Sequence, residues 1–89
     1  MLFSLGSILV TSGALQALAA VEATPSSLCA RHASGDWGTV SESDQFRNEQ
    51  ALYNGERLMS VYPLSTGETV WVMTESDRSL TTVLLPDEY

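Results

Sequence analysis

The chain has 89 residues, of which 44% are hydrophobic, and its eleven acidic side chains stand against four arginines and no lysine, for a net charge of −7. Such an acidic chain repels nucleic acid and anionic membranes, which argues against either as a direct partner, and it attracts basic protein surfaces. Acidity that serves only solubility is the alternative explanation. The length fits one small domain over residues 1–89 with a thin core, which is compatible with a homodimer.

The N-terminal segment and the cysteine content bear on location. Residues 2–21 are apolar, but glycine, serine and glutamine interrupt the run, and no lysine or arginine precedes it. A secretory signal needs that positive charge and a membrane span needs a longer unbroken run, so we expect a retained, folded segment. The single cysteine excludes an internal disulfide and a multi-cysteine zinc site. We therefore expect a cytoplasmic protein without a metal or cofactor.

Local signals divide the chain into a helical first part and a β-rich last third. Thr24-Pro25 and Ser41 are typical helix starts, whereas Gly35 and Asn54-Gly55 are typical helix ends. Alternating apolar residues separated by turn-forming residues follow. In chain order, these signals predict a short strand or extended lead-in at 2–10, helices at 12–22, 25–33 and 42–54, and strands at 57–64, 69–74 and 80–85.

Side-chain periodicity indicates which faces are apolar. The first helix is expected to bury a stripe formed by Leu15 and Leu18. The third helix presents Phe46, Glu49 or Gln50, and Tyr53 along one side, with Leu52 beside them. The predicted fold class is α+β, with two to three short helices packed on a three-stranded antiparallel meander, and a short N-terminal strand is left open as an addition.

The segment from His32 to Gly38, named the hub here, gathers the only histidine, one of two tryptophans and two glycines. We expect a structural network in which Arg78 pairs with Asp36, His32 donates to a carbonyl or carboxylate, and Trp37 anchors the core. Cys29 lies three residues before His32, which also suits a nucleophile pair, but a lone cysteine in an apolar helix is usually a core residue. Phosphate-loop and nucleophile-elbow sequences are missing, so no enzyme is expected.

Two long motifs carry a resemblance to a known family. They are R-H-A-S-G-D-W-G at residues 31–38 and T-E-S-D-R-S-L-T-T-V-L-L-P at residues 74–86. The chain resembles a family of small bacterial proteins carried on plasmids, integrated elements and prophages. The likeness extends over nearly the whole chain, although the family more usually has proline where this chain has Ser12. The resemblance implies an origin on a mobile element and supplies no catalytic residues.

The expected function follows from charge and context together. Small acidic proteins of mobile elements often inhibit host defence, so we expect an anti-CRISPR-like or anti-restriction protein that acts as a DNA mimic. It would block a basic groove of a nuclease or surveillance complex stoichiometrically and without catalysis. The alternative is a small homodimeric structural or regulatory module, with the hub and a sheet face bearing Tyr62 and Trp71 as its interface. The acids expected to contact the partner are Glu42, Asp44, Glu49, Glu75, Asp77, Asp87 and Glu88.

Overall fold

The computed structural model describes residues 1–89 and contains three α-helices and four strands, which confirms the predicted α+β class. The longest helix has 13 residues, and none of the three is both long and apolar enough to cross a lipid bilayer. In chain order, the elements are β1 (Ser7–Val10), α1 (Ser12–Ala19), α2 (Pro25–Ala33), α3 (Glu42–Asn54), β2 (Leu58–Pro63), β3 (Thr69–Thr74), β4 (Leu80–Leu84) and a short 3₁₀ turn (Pro86–Glu88).

The sheet is mixed and has the strand order β1-β4-β3-β2. Strands β2, β3 and β4 form the predicted antiparallel meander. Strand β1 joins the sheet parallel to β4, with Ser7 opposite Leu80 and Val10 opposite Val83. The lead-in predicted at 2–10 is therefore a strand only over its last four residues. The parallel pairing joins segments about seventy residues apart, which local periodicity does not reveal.

The core lies between one face of the sheet and the helices. Leu18 of α1 and Leu28 of α2 pack with Tyr62, Val72 and Val83 from the three strands of the meander. The alternation of buried and half-buried residues along β2 matches the predicted period of two. A smaller cluster of Trp37, Ala51 and Leu58 joins the third helix to the sheet.

The apolar stripe of α1 differs from the predicted one. Leu18 is fully buried, but Leu15 is 53% exposed, and the buried positions are Ala14, Ala17 and Leu18. These three residues are spaced by three and one, so they share one side of a helix and Leu15 lies off that side. The helix also ends at Ala19 rather than at residue 22, because the chain turns sharply and Glu22 adopts a φ of +56°.

Candidate functional site: the outer face of α3

The third helix begins and ends where its sequence predicts. The Ser41 side chain accepts a hydrogen bond from the backbone N–H of Asp44 at 3.1 Å, which satisfies one free donor of the first turn. Glu42 and Asp44 in that turn also interact favourably with the helix dipole. Gly55 ends the helix in the left-handed conformation, with a φ of +68°. The helix is thus defined locally, and its orientation is set by tertiary contacts.

Two residues on the inner side of α3 fix that orientation. The Asn48 amide group donates to the carbonyl of Met59 at 2.8 Å, and its oxygen accepts from the N–H of Met59 at 3.2 Å. Ala51 is completely buried against Trp37 and Leu58. The helix therefore docks on strand β2 through a short polar and small-residue side, and its opposite side faces solvent.

The solvent side carries an acidic and aromatic stripe. Glu42, Phe46, Glu49 and Tyr53 recur every three or four residues, so they share one side of the helix, named here the α3 outer face. Phe46 is 63% exposed and Tyr53 is 88% exposed. Exposed aromatic residues in a row are uncommon on a monomer surface and are typical of contact sites. The sequence had placed three of these residues on one side, and the structure shows that this side is the outward one.

The two acids of the α3 outer face have no partner within the molecule. Neither Glu42 nor Glu49 forms a side-chain hydrogen bond or an ion pair. They lie about 10 Å apart along the helix axis. The one base of the helix, Arg47, is exposed on another side of the helix, where it comes to 4.0 Å of Asp44. The α3 outer face is therefore purely acidic in its charges.

The acids of the β3–β4 turn are used within the fold. Glu75 forms an ion pair with Arg57 at 3.3 Å. The carboxylate of Asp77 accepts hydrogen bonds from the backbone N–H of Ser79 at 3.0 Å and from its hydroxyl at 2.6 Å. These bonds favour the ionised form and lower the pKa of Asp77. Both side chains help to shape the turn, which leaves less of their charge for a partner.

The acids that follow β4 lie at the other end of that strand. Glu88 accepts hydrogen bonds from the Thr11 hydroxyl at 2.6 Å and from the N–H of Leu85 at 2.8 Å, which lowers the pKa of Glu88. Asp87 is exposed and forms no side-chain hydrogen bond. The seven acids expected to contact a partner thus occupy three separate places, and Glu42 and Glu49 combine unpaired charge with two exposed aromatic residues on the same side of a helix.

The hub is organised around a buried chain of hydrogen bonds. His32 Nδ1 lies 2.6 Å from Ser60 Oγ, and Nε2 lies 2.9 Å from Thr74 Oγ1. Thr74 Oγ1 lies 2.7 Å from Thr81 Oγ1, and the Thr81 hydroxyl donates to the carbonyl of Leu5 at 2.7 Å. Because a hydroxyl donates only one hydrogen, Thr81 accepts from Thr74, and Thr74 accepts from His32. The proton of the neutral ring is therefore on Nε2, and Nδ1 accepts from Ser60.

This arrangement keeps the histidine neutral. Burial, and then the positive charge of Arg78, lower the pKa of His32 to about 4. Cys29 is buried, and that burial raises the pKa of its thiol. Both nitrogens of the ring are occupied by hydroxyl groups, so the Cys29–His32 nucleophile pair does not form. No three histidine, cysteine, aspartate or glutamate side chains lie close enough together to hold a metal ion.

The predicted pairing of Arg78 with Asp36 is wrong. Asp36 instead pairs with Arg31 at 2.7 Å, five residues earlier, and this contact lowers the pKa of Asp36. The Arg78 guanidinium donates to the carbonyls of Ala51 at 3.0 Å and Glu56 at 2.6 Å. It therefore binds carbonyls in the last turn of α3 and just after it, a common arrangement at a helix C-terminus. His32 likewise bonds to hydroxyls rather than to the expected carbonyl or carboxylate.

The large side chains of the hub are buried within one chain, whereas Ser34, Asp36 and Gly38 are exposed. Trp37 is 5% exposed and His32 is fully buried. Tyr62 is also buried, and its hydroxyl donates to the carbonyl of Asp36. Only Trp71, on the sheet face away from the helices, is half-exposed. The aromatic side chains of the hub are thus occupied within the monomer.

Comparison with known proteins gives no relative: no family model, no curated protein and no solved structure matches this chain.

Proposed function

We propose that this protein is a mobile-element-encoded inhibitor of a host defence system, anti-CRISPR-like or anti-restriction, that works without catalysis. It binds a basic nucleic-acid-binding surface of a nuclease or surveillance complex through the α3 outer face and blocks that surface stoichiometrically. The observation that supports this proposal is the alternation of exposed aromatic residues, Phe46 and Tyr53, with the unpaired acids Glu42 and Glu49 along one side of α3. The origin on a mobile element rests on the family resemblance of the two sequence motifs.

The spacing of the charges argues for a compact contact rather than for imitation of a long stretch of DNA. Duplex DNA carries one charge for about every 1.7 Å of its axis, whereas Glu42 and Glu49 supply two charges over about 10 Å. Charge alone therefore cannot compete with DNA at this site. The aromatic side chains would supply most of the binding energy, and the acids would select and steer a basic partner.

The test is inhibition of DNA cleavage by purified defence nucleases, one restriction endonuclease and one guide-loaded CRISPR nuclease, at increasing concentrations of this protein. We expect complete inhibition near a one-to-one ratio and weaker inhibition as salt screens the acids. Phe46→Ala with Tyr53→Ala should raise the inhibitory concentration about thirtyfold or more, the size typical of aromatic anchor residues.

A matched pair of charge reversals separates the site from net charge. Glu42→Lys with Glu49→Lys should abolish inhibition. Glu22→Lys with Glu68→Lys makes the same change in net charge on exposed residues away from α3 and should leave inhibition unchanged. Equal loss in both double variants would show that only overall acidity matters. The proposal is also wrong if a host carrying both defence systems gains no phage sensitivity when the wild-type chain is expressed.

A further inference from the structure

We propose that β1 is the self-association edge of this protein, at which two copies pair antiparallel and join their sheets. The inference is independent of the α3 outer face. Strand β1 is the last strand on one side of the sheet, and no backbone hydrogen bond is made on its free edge. A free strand edge with exposed apolar side chains is a template for pairing with another strand.

The backbone shows which groups are available. Ser7 N–H donates to the carbonyl of Ser79 at 3.0 Å, and Thr11 N–H donates to that of Val83 at 3.0 Å. Alternate residues of a strand face the same neighbour, so the N–H and C=O groups of Ile8 and Val10 point away from β4. These four groups form an unused donor and acceptor set on the edge of the sheet.

This set matches a second copy in one particular register. Two antiparallel β1 strands place Ile8 of one copy opposite Val10 of the other, which forms four backbone hydrogen bonds around a two-fold axis. The two Leu9 residues then lie directly opposite each other at the axis, as a close pair without hydrogen bonds. The patch is self-complementary because each copy supplies the same two outward residues.

The side chains around the edge are apolar and uncharged. Ile8 is 49% exposed and Leu9 is 55% exposed, although each lies in a strand. A cavity of about 330 Å³ opens beside the edge, between β1 and α2, and is lined by Ile8, Leu5 and Ala33 among others. Five of the eight large hydrophobic residues that are exposed lie in this first part of the chain: Met1, Leu2, Ile8, Leu9 and Leu15.

Charge identifies a second copy as the occupant. Residues 1–21 contain no acidic or basic side chain, whereas the remainder of the chain carries all fifteen. Two copies with a net charge of −7 each repel one another wherever their acids meet, and this uncharged edge lets them approach with the charges held apart. The Glu88 carboxylate beside Thr11 already accepts two hydrogen bonds within the chain, so a basic protein, which the net charge would otherwise attract, finds no unpaired acid along β1.

The first experiment measures mass and its dependence on salt. Sedimentation of the wild-type chain should give twice the 9.6 kDa mass of one chain. Raising salt from about 0.05 M to about 0.5 M should leave the dimer intact or tighten it, because screening reduces the repulsion between like charges. The binding of a basic partner by α3 weakens under the same change. The two proposals can therefore fail separately.

Single substitutions test the register. Ile8→Pro removes an N–H that the monomer does not use, so it should raise the dissociation constant about thirtyfold or more and leave the circular dichroism spectrum unchanged. Leu9→Cys should form a disulfide-linked dimer under mild oxidation. The matched control Ile8→Cys should not, because its symmetry mates lie more than about 7 Å apart between Cα atoms. Buried Cys29 stays in place, and the wild-type chain serves as the uncross-linked control.

Three outcomes would overturn this proposal. One is a wild-type chain that stays monomeric at millimolar concentration. The β1 edge would then bind a strand of a different protein or have no partner. Another is a dimer that withstands Ile8→Pro and gives no cross-link through Leu9→Cys, because the contact is then elsewhere. The third is a cross-link through Ile8→Cys alone, which would show a different register.

Discussion

The two edges of the sheet are treated in opposite ways. On the β2 edge, the Asn48 side chain bonds to both backbone groups of Met59. Beside it, the N–H of Thr39 donates to the carbonyl of Val61 at 2.9 Å, and the N–H of Val61 donates to the carbonyl of Trp37 at 3.0 Å. This covered edge leaves no backbone N–H of β2 free for an outside chain. The β1 edge, four residues long, has no such cover.

The difference shows that the open edge is not a general weakness of the fold. This protein covers one edge of its sheet with a helix and a loop, which prevents that edge from pairing with another chain. The hub connects the two sides, because the hydrogen-bond chain from His32 runs from Ser60 in β2 through Thr74 and Thr81 to the carbonyl of Leu5, just before β1. The same network thus holds the covered edge and the start of the open one.

The largest effect should come from the glycine that brings the hub loop onto the covered edge. A Cβ atom at Gly38 would lie 1.8 Å from the carbonyl oxygen of Val61, and its φ of +74° also disfavours a side chain. Since backbone cannot yield at that distance, we expect Gly38→Ala to lower the free energy of unfolding by about 4 kcal/mol. Chemical denaturation measures the change.

Gly55→Ala is the matched control for this substitution. Gly55 has a similar φ of +68°, but a Cβ atom there meets nothing within 4 Å. Only the conformational penalty applies, so we expect a loss of about 1 kcal/mol. Equal losses for the two variants would mean that the close approach of the hub loop to β2 adds nothing to the destabilisation caused by Gly38→Ala.

The next effect is the pH dependence of the hydrogen-bond chain. The pKa of His32 is lowered to about 4 in the fold, against about 6.5 in the unfolded chain, so the neutral form is the one that the fold stabilises. The stability is complete above pH 6.5 and is lost as pH falls toward 4, by about 3 kcal/mol in total. Denaturation at a series of pH values measures this slope.

A variant without the titrating group isolates that slope. His32→Asn should be less stable at neutral pH, and its stability should change little between pH 6.5 and pH 4. The carboxylates with lowered pKa values, including Asp36 and Glu88, stabilise the fold when ionised and lose that contribution as pH falls, mainly below the window of His32, and they remain in both proteins. If the wild-type chain shows the same flat profile as the variant, the neutral buried histidine is not what holds the network.

The sequence predicted the elements better than it predicted their contacts. Helix α3 began and ended at Ser41 and Gly55 because a cap and a left-handed stop act within one turn. The pairing of β1 with β4 and the two bonds from Asn48 to Met59 join distant segments, and nothing in local periodicity encodes them. The α3 outer face was predicted only in part, since the spacing placed its residues on one side of the helix but did not indicate whether that side faces solvent.

A smaller loss should follow removal of the side chain that covers β2. Asn48→Ala leaves the N–H and carbonyl of Met59 without partners beside a helix that limits access of water, so we expect a loss of about 2 kcal/mol. Gln50→Ala, on an exposed position of the same helix, should change stability by less than about 0.5 kcal/mol. Because alanine is the better helix former at both positions, an equal loss at Gln50 would show that the loss at Asn48 does not measure edge cover.

The smallest effect belongs to the open edge itself. Leu9→Thr keeps a residue that favours strands and removes an apolar side chain that is 55% exposed, so the free energy of unfolding of the monomer should fall by about 0.5 kcal/mol or less. Denaturation at low micromolar concentration measures this value, and sedimentation of the same variant measures the dimer. If Leu9→Thr destabilises the monomer strongly, the fold of a single chain needs Leu9. The apolar residue is then no evidence that this edge differs from the covered one by contacting another chain. If the substitution does not destabilise the monomer, while the dimer is lost, the apolar edge serves contact between chains, and each edge of the sheet has its own role.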